Sequence, residues 1–109
     1  MTSAVDRQPV ATLVASLREA VLRARRGDLV AVAHRWHGPG PGGRRPRLVV
    51  KVMSADRGLL LHWARAHAVP AGWLHDTGIP HFDLWGPRAE AILHCCVDQK
   101  GGSGAFCFY

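Results

Sequence analysis

Ten residues in the middle of the chain, HGPGPGGRRP at positions 37–46, constrain the fold more than any other stretch. Its prolines lack the backbone donor that a strand ladder needs. Its glycines are too free to hold either a strand or a helix, so the segment is a loop. On either side lie short valine-rich runs, Leu29–Trp36 and Leu48–Met53, with no proline or glycine of their own. In the first, Leu29, Ala31 and Ala33 fall on one face and Val30, Val32 and His34 on the other, the period of two that marks a strand. Two such runs joined by one loop predict a β-hairpin with a long basic tip, and the rest of the chain has to pack on it.

The remaining elements follow from spacing and punctuation. Val10, Leu13, Val14, Leu17, Val21 and Ala24 recur at intervals of three and four, which predicts a helix from Pro9 to Arg26. Pro9 suits its first position, Arg23, Arg25 and Arg26 its last turn, and Gly27 the residue past its end. Ser54 or Asp56 is placed to cap a second helix running to about Ala68, closed by Pro70 and Gly72. A short segment at Trp73–His75 leads into a turn at Asp76–Pro80, then an extended stretch at His81–Leu84. Gly86-Pro87 opens a third helix, Pro87 to Cys95. The expected architecture is a small two-layer α/β sandwich: a short sheet with a β-hairpin, covered by about three helices. Residues 1–100 form one domain, and 101–109 are a flexible tail or, at Ala105–Tyr109, a short edge strand.

Composition bounds the partners. The chain has 109 residues, enough for one core, with 48% hydrophobic and 20% charged residues. No apolar run approaches the ~20 residues that cross a bilayer. Asp6, Arg7, Arg18, Glu19 and Arg23 interrupt any signal-peptide core. Cys95, Cys96 and Cys107 are odd in number and two are adjacent, a poor disulfide framework that fits a reducing compartment. These features set the expectation of a cytoplasmic protein with no membrane contact. Eleven of the fourteen Lys and Arg precede residue 58, against four of the eight Asp and Glu. That asymmetry either points to an anionic small molecule or nucleic acid as partner, or is a solvated arginine bias.

The chemistry concentrates between His75 and Asp83. His75, Asp76, His81 and Asp83 lie within nine residues stiffened by Pro80. In an extended stretch His81 and Asp83 share a face while Phe82 points into the core. A carboxylate beside an imidazole can bind a ligand, orient a general base, or make a structural hydrogen bond. His62, on the preceding helix, is expected to fold back toward the pair. Arg44, Arg45 and Arg47 form a basic arm suited to phosphate groups, the alternative being an inert hairpin tip. The loop is no phosphate cradle, because Pro39 and Pro41 remove amide donors and no Gly-Lys-Ser/Thr ending follows. His94, Cys96 and Cys107 lack metal-ligand spacing, so no metal site is expected, and no motif implies a cofactor. Trp63 and Trp73 are expected in the core. Trp36 and Trp85, beside loops, are either core or stacking surfaces.

The run SADRGLLLHWARAHAVPAGWLHDTGIPHFDLWGPRAEAIL, residues 54–93, resembles a small bacterial and phage family described as domain of unknown function 4031. Ala55-Asp56 stands where that family has an Ala-Asp before a helix, and Leu61-His62 with Ala64 is similar to its Leu-His helix motif. Trp73 is similar to its tryptophan, and His81-Phe82-Asp83 to its His-Tyr-Asp. The resemblance spans about residues 48–93, under half of the chain. The family places an aspartate at the end of its first strand and a histidine before the Ala-Asp. Here the comparable strand carries His34 and no acid, and the second position falls near Val52. The resemblance therefore implies positions rather than a reaction. Separately, the helix, Arg25-Arg26-Gly27-Asp28 and the strand ending His34-Arg35 resemble the start of Phd-type antitoxins, dimeric operator-binding proteins. Taken together, these readings favour a domain that binds an anionic, phosphate-bearing ligand or nucleic acid through His62, His75, His81, Asp83, Arg44, Arg45 and Arg47. The alternatives are a small hydrolase using a His–Asp pair, metal-assisted or not, and a Phd-like DNA-binding antitoxin. Whether the chain is an enzyme, and its oligomeric state, stay open at this point.

Overall fold

The computed structural model describes residues 9–36 and 47–98. In chain order these form β1 (Thr12–Val14), α1 (Leu17–Arg25), β2 (Val30–Trp36), β3 (Arg47–Met53) and α2 (Arg57–Ala66). A single 3₁₀ turn (Ala71–Trp73), β4 (His81–Trp85), α3 (Gly86–His94) and β5 (Val97–Asp98) follow. The strands make one mixed sheet in the order β4-β3-β2-β1-β5. β2 and β3 are the expected hairpin, antiparallel and in register from Val30 opposite Met53 to Trp36 opposite Arg47. β4 adds antiparallel to β3, while β1 and β5 join in parallel on the far side.

Strand alternation assigns each face its cover. On one face Leu60, Trp63 and Ala64 of α2 and Ala89, Ile92 and Leu93 of α3 pack on Ala31, Val50, Val52, Phe82 and Leu84. This is the sandwich expected from the sequence. α1 lies on the opposite face, where Ala20 and Ala24 meet Val30, Val32 and Met53. The β3–β4 part of that second face carries Lys51, His81 and Asp83, none of them fully buried.

One expected element is corrected. The helix expected from Pro9 to Arg26 is a strand followed by a shorter helix. Ser16 has extended backbone, φ −141° and ψ 155°, and its hydroxyl accepts from the Glu19 amide at 3.1 Å, so the helix starts only at Leu17. Upstream, Thr12, Leu13 and Val14 pair with Val30, Ala31 and Val32. The spacing that fitted a helix also fits a strand buried on both sides: Leu13 joins one core and Val14 the other. Val10 and Leu17, expected on the buried side of that helix, are 46% and 47% exposed. Trp73, expected in the core, is 47% exposed.

The other helices start and stop as their residues dictate. The Asp56 carboxylate accepts from the Leu59 amide at 3.0 Å and caps α2. Ser54, fully buried, donates to the Gly27 carbonyl and accepts from the Asp56 amide, which ties the end of α1 to the start of α2. At the far end of α2, Ala68 takes φ +58° and closes the helix. The Val69 amide reaches back to the Ala64 carbonyl at 2.8 Å and the Ala68 amide to the Arg65 carbonyl at 3.3 Å. Cys96 is 2% exposed and donates its thiol to the Ile92 carbonyl. Burial, with Cys95 next in influence, pushes that thiol up to about 12, so Cys96 is a packing group. Among the described residues no helix is long and apolar enough to cross a membrane.

Candidate functional site

The site is built on β4 and the turn before it. Register puts Asp83 opposite Lys51 and His81 opposite Met53. The Ser54 amide donates to the Pro80 carbonyl at 3.2 Å, so Pro80, Phe82 and Leu84 direct their backbone groups toward β3. Lys51 and Asp83 therefore form a non-hydrogen-bonded pair, the kind that brings side chains closest. Lys51 Nζ donates to Asp83 Oδ1 at 2.7 Å, and both side chains are largely buried, 24% and 20% exposed. The carboxylate is thus matched by a cation from its own sheet.

Two histidines flank the other carboxylate oxygen. His75 and His81 form an isolated antiparallel bridge and exchange both backbone hydrogen bonds, at 2.9 and 3.0 Å. Their rings stack 5.1 Å apart at 19°. His75 Nε2 lies 3.7 Å and His81 Nε2 3.8 Å from Asp83 Oδ2. Those separations exceed hydrogen-bond length. His81 Nδ1 is 2.9 Å from the Ile79 carbonyl, which fixes the tautomer with the hydrogen on Nδ1. With Nδ1 on a carbonyl, Nε2 is the ring nitrogen left facing Asp83, and His81 does not line the cleft itself. His75, 57% exposed at its side chain, is the imidazole that meets solvent.

Beside this cluster a cleft of about 560 Å³ opens between the 3₁₀ turn and β4. Trp73, Leu74 and His75 line one side, Asp83 and Trp85 the other, and Arg88 sits among them. Arg88, in the first turn of α3, donates to the Ala68 carbonyl at 3.0 Å. Its guanidinium lies 5.0 Å from the centre of the Trp73 ring. The left-handed residue that ends α2 thereby aims a carbonyl that holds Arg88 over Trp73. The turn is braced from outside by an Arg57–Asp76 ion pair.

The residues singled out from the sequence are thus partly gathered. His75, His81 and Asp83 converge, with His75 and Asp83 on the cleft wall and His81 behind them. His62 is exposed on α2, which packs against the opposite face of the sheet, so it does not fold back onto the pair. Arg44 and Arg45 lie outside the described residues. Arg47 opens β3 opposite Trp36, two positions beyond the pairing of Val49 with Trp85. The arginine loop is therefore rooted at the end of the sheet where the cleft lies. Lys51, Trp73 and Arg88 were not anticipated as site residues. The signal for Lys51 was a single charge in the middle of a valine strand. Nothing in the order of residues linked Arg88 to Trp73.

Part of the positive charge of the first half is matched locally. Asp28 takes both Arg26 and Arg23, at 3.0 and 3.3 Å, and chiefly the Arg26 hydrogen bond holds its carboxyl below the ordinary value. Among the described residues, no group of three or more His, Cys, Asp or Glu side chains is disposed to hold a metal ion. Comparison with protein-family models, with curated proteins and with solved structures found no match to this chain.

Proposed function

We propose that this domain binds an anionic ligand in the cleft between the 3₁₀ turn and β4. The observation that carries the reading is the Lys51–Asp83 pair at 2.7 Å. With the one carboxylate of the cleft matched by its own lysine, the charge left to face a ligand belongs to Arg88, and the exposed His75 stands across the cleft as a polar partner. Arg88 is held over Trp73 with one nitrogen on a carbonyl, and a planar guanidinium so fixed is suited to phosphate or carboxylate oxygens. Trp73 and Trp85 supply the apolar surface that most small-molecule sites have. The rooting of the arginine loop at the same end of the sheet supports a phosphate-bearing ligand or a nucleic-acid phosphate, with Arg44, Arg45 and Arg47 as the arm. Trp73, His81 and Asp83, which the family resemblance singles out, lie at or beside this cleft.

Titration calorimetry with inorganic phosphate and with adenosine monophosphate tests the reading. Binding should weaken steeply from low to high salt, and Arg88→Gln should lower affinity about tenfold. Affinity indifferent to salt and to Arg88→Gln would sink it.

A hydrolase is the second reading, favoured by the carboxylate of Asp83 standing 3.7 Å from the solvent-reaching His75. It requires turnover of a simple phosphate or carboxylate ester that His75→Gln abolishes while the fold is retained.

A further inference from the structure

We infer that the anion taken by this cleft is carried on an extended polypeptide, which lies along the outer edge of β4 and pairs with the backbone of Asp83. The inference rests on the anion-binding reading above and names the ligand class.

Strand geometry carries it. Among the described residues β4 is an edge strand of the sheet. Pro80, Phe82 and Leu84 turn their backbone groups toward β3, so His81 and Asp83 turn theirs outward. The outward groups of His81 are satisfied by His75, through hydrogen bonds of 2.9 and 3.0 Å. Asp83 lies two residues further along, about 7 Å. There the neighbouring chain has turned away: Trp73 donates back to Pro70 and Leu74 to Ala71, within the 3₁₀ turn. No backbone group among the described residues takes the place opposite Asp83, and the cleft opens at that point. An edge strand whose donor and acceptor face a cleft is the arrangement used for recognition by strand addition.

The surroundings select the occupant. A second copy adding antiparallel about Asp83 would set the two Asp83 side chains opposite one another on one face, an unfavourable pairing of like charges. A peptide bearing a carboxylate meets Arg88 and His75 instead, both at the cleft. Trp73, 47% exposed on the facing wall, gives its side chains an apolar surface. The backbone of Asp83 then supplies register and Arg88 supplies the preference for an acid.

The probe is the peptide acetyl-Thr-Val-Thr-Val-Glu with a free carboxylate, used with the isotope-labelled full chain. Recognition runs through the main chain, so the side-chain sequence of the probe is secondary. Binding should slow hydrogen exchange at the Asp83 amide. Two analogues N-methylated at alternate residues, one in each phase, should separate. The phase whose donors face β4 should lose about tenfold or more in affinity and the other should keep it. Equal binding of both analogues, or an Asp83 amide unaffected by saturating peptide, would overturn the inference. If phosphate still binds through Arg88 in that case, the anion site survives and only its ligand class falls. If neither phosphate nor peptide binds, both readings fall together. Protection of the Asp83 amide that rises with protein concentration and without peptide would assign the edge to a second copy, and would also overturn it.

Discussion

The two faces of β3 and β4 are made by the same residues in alternation and do opposite work. On the covered face Val50, Val52, Phe82 and Leu84 are at most 1% exposed and meet α2 and α3. On the other face Lys51, His81 and Asp83 keep about a fifth to a quarter of their side-chain surface in solvent. On β3 the second face also buries Val49 and Met53 around Lys51, whereas along β4 a period of two puts nearly all the packing energy on one side. The other side is free to hold charge at low cost to the fold. Fully burying a side chain such as Phe82 stabilises by roughly 1.5–3 kcal/mol, whereas an ion pair that keeps part of its surface in solvent contributes less.

The sharpest way to break that contrast is to truncate neighbours on opposite faces. Phe82→Ala should destabilise by about 3–5 kcal/mol, because it empties a site against Trp63, whose ring centre is 6.1 Å away. His81→Ala, one residue earlier, should cost no more than about 1 kcal/mol. Urea unfolding of the two variants measures both. Similar losses would mean that the faces are not energetically distinct.

A smaller effect tests the charged face itself. Lys51→Met leaves Asp83 in place with its partner gone, and should destabilise by about 1–3 kcal/mol. Lys51→Met with Asp83→Leu removes both charges, and should recover most of that loss. A double variant no better than Lys51→Met alone would show that the 2.7 Å pair does not set the cost of the lone carboxylate.

The same contrast explains what was legible in the sequence. Elements that declare themselves locally were readable. The hairpin is marked by Val30–Val32 and Val49–Val52 around a proline-glycine loop, α2 by its Asp56 cap, and α3 by Gly86-Pro87. β1 and β5 were not, since Thr12–Val14 and Val97–Asp98 are too short to carry a period and exist only through pairing. Within the site, alternation alone put His81 and Asp83 on one face. Lys51 as the partner of Asp83 needed the register between two strands 32 residues apart. Arg88 over Trp73 needed the path of the chain between α2 and α3, and specifically the reversal at Ala68.

That reversal supplies the smallest of the tests. Ala68 sits at φ +58°, a region where a Cβ crowds the following carbonyl, at roughly 1–2 kcal/mol for an L-residue. Glycine escapes this strain but loses about 0.5–1 kcal/mol more on folding through its freer unfolded chain. The difference predicts that Ala68→Gly raises stability by about 0.5–1 kcal/mol, measured by urea unfolding. Ala68→Val, branched at the crowded carbon, should lower it. The pair of signs matters more than either size. If both variants destabilise, the left-handed closure of α2 is absent in solution, and the carbonyl that holds Arg88 over Trp73 is not aimed as described. The covered face would then still fold, while the cleft beside Asp83 would lose the cation on which its proposed function depends.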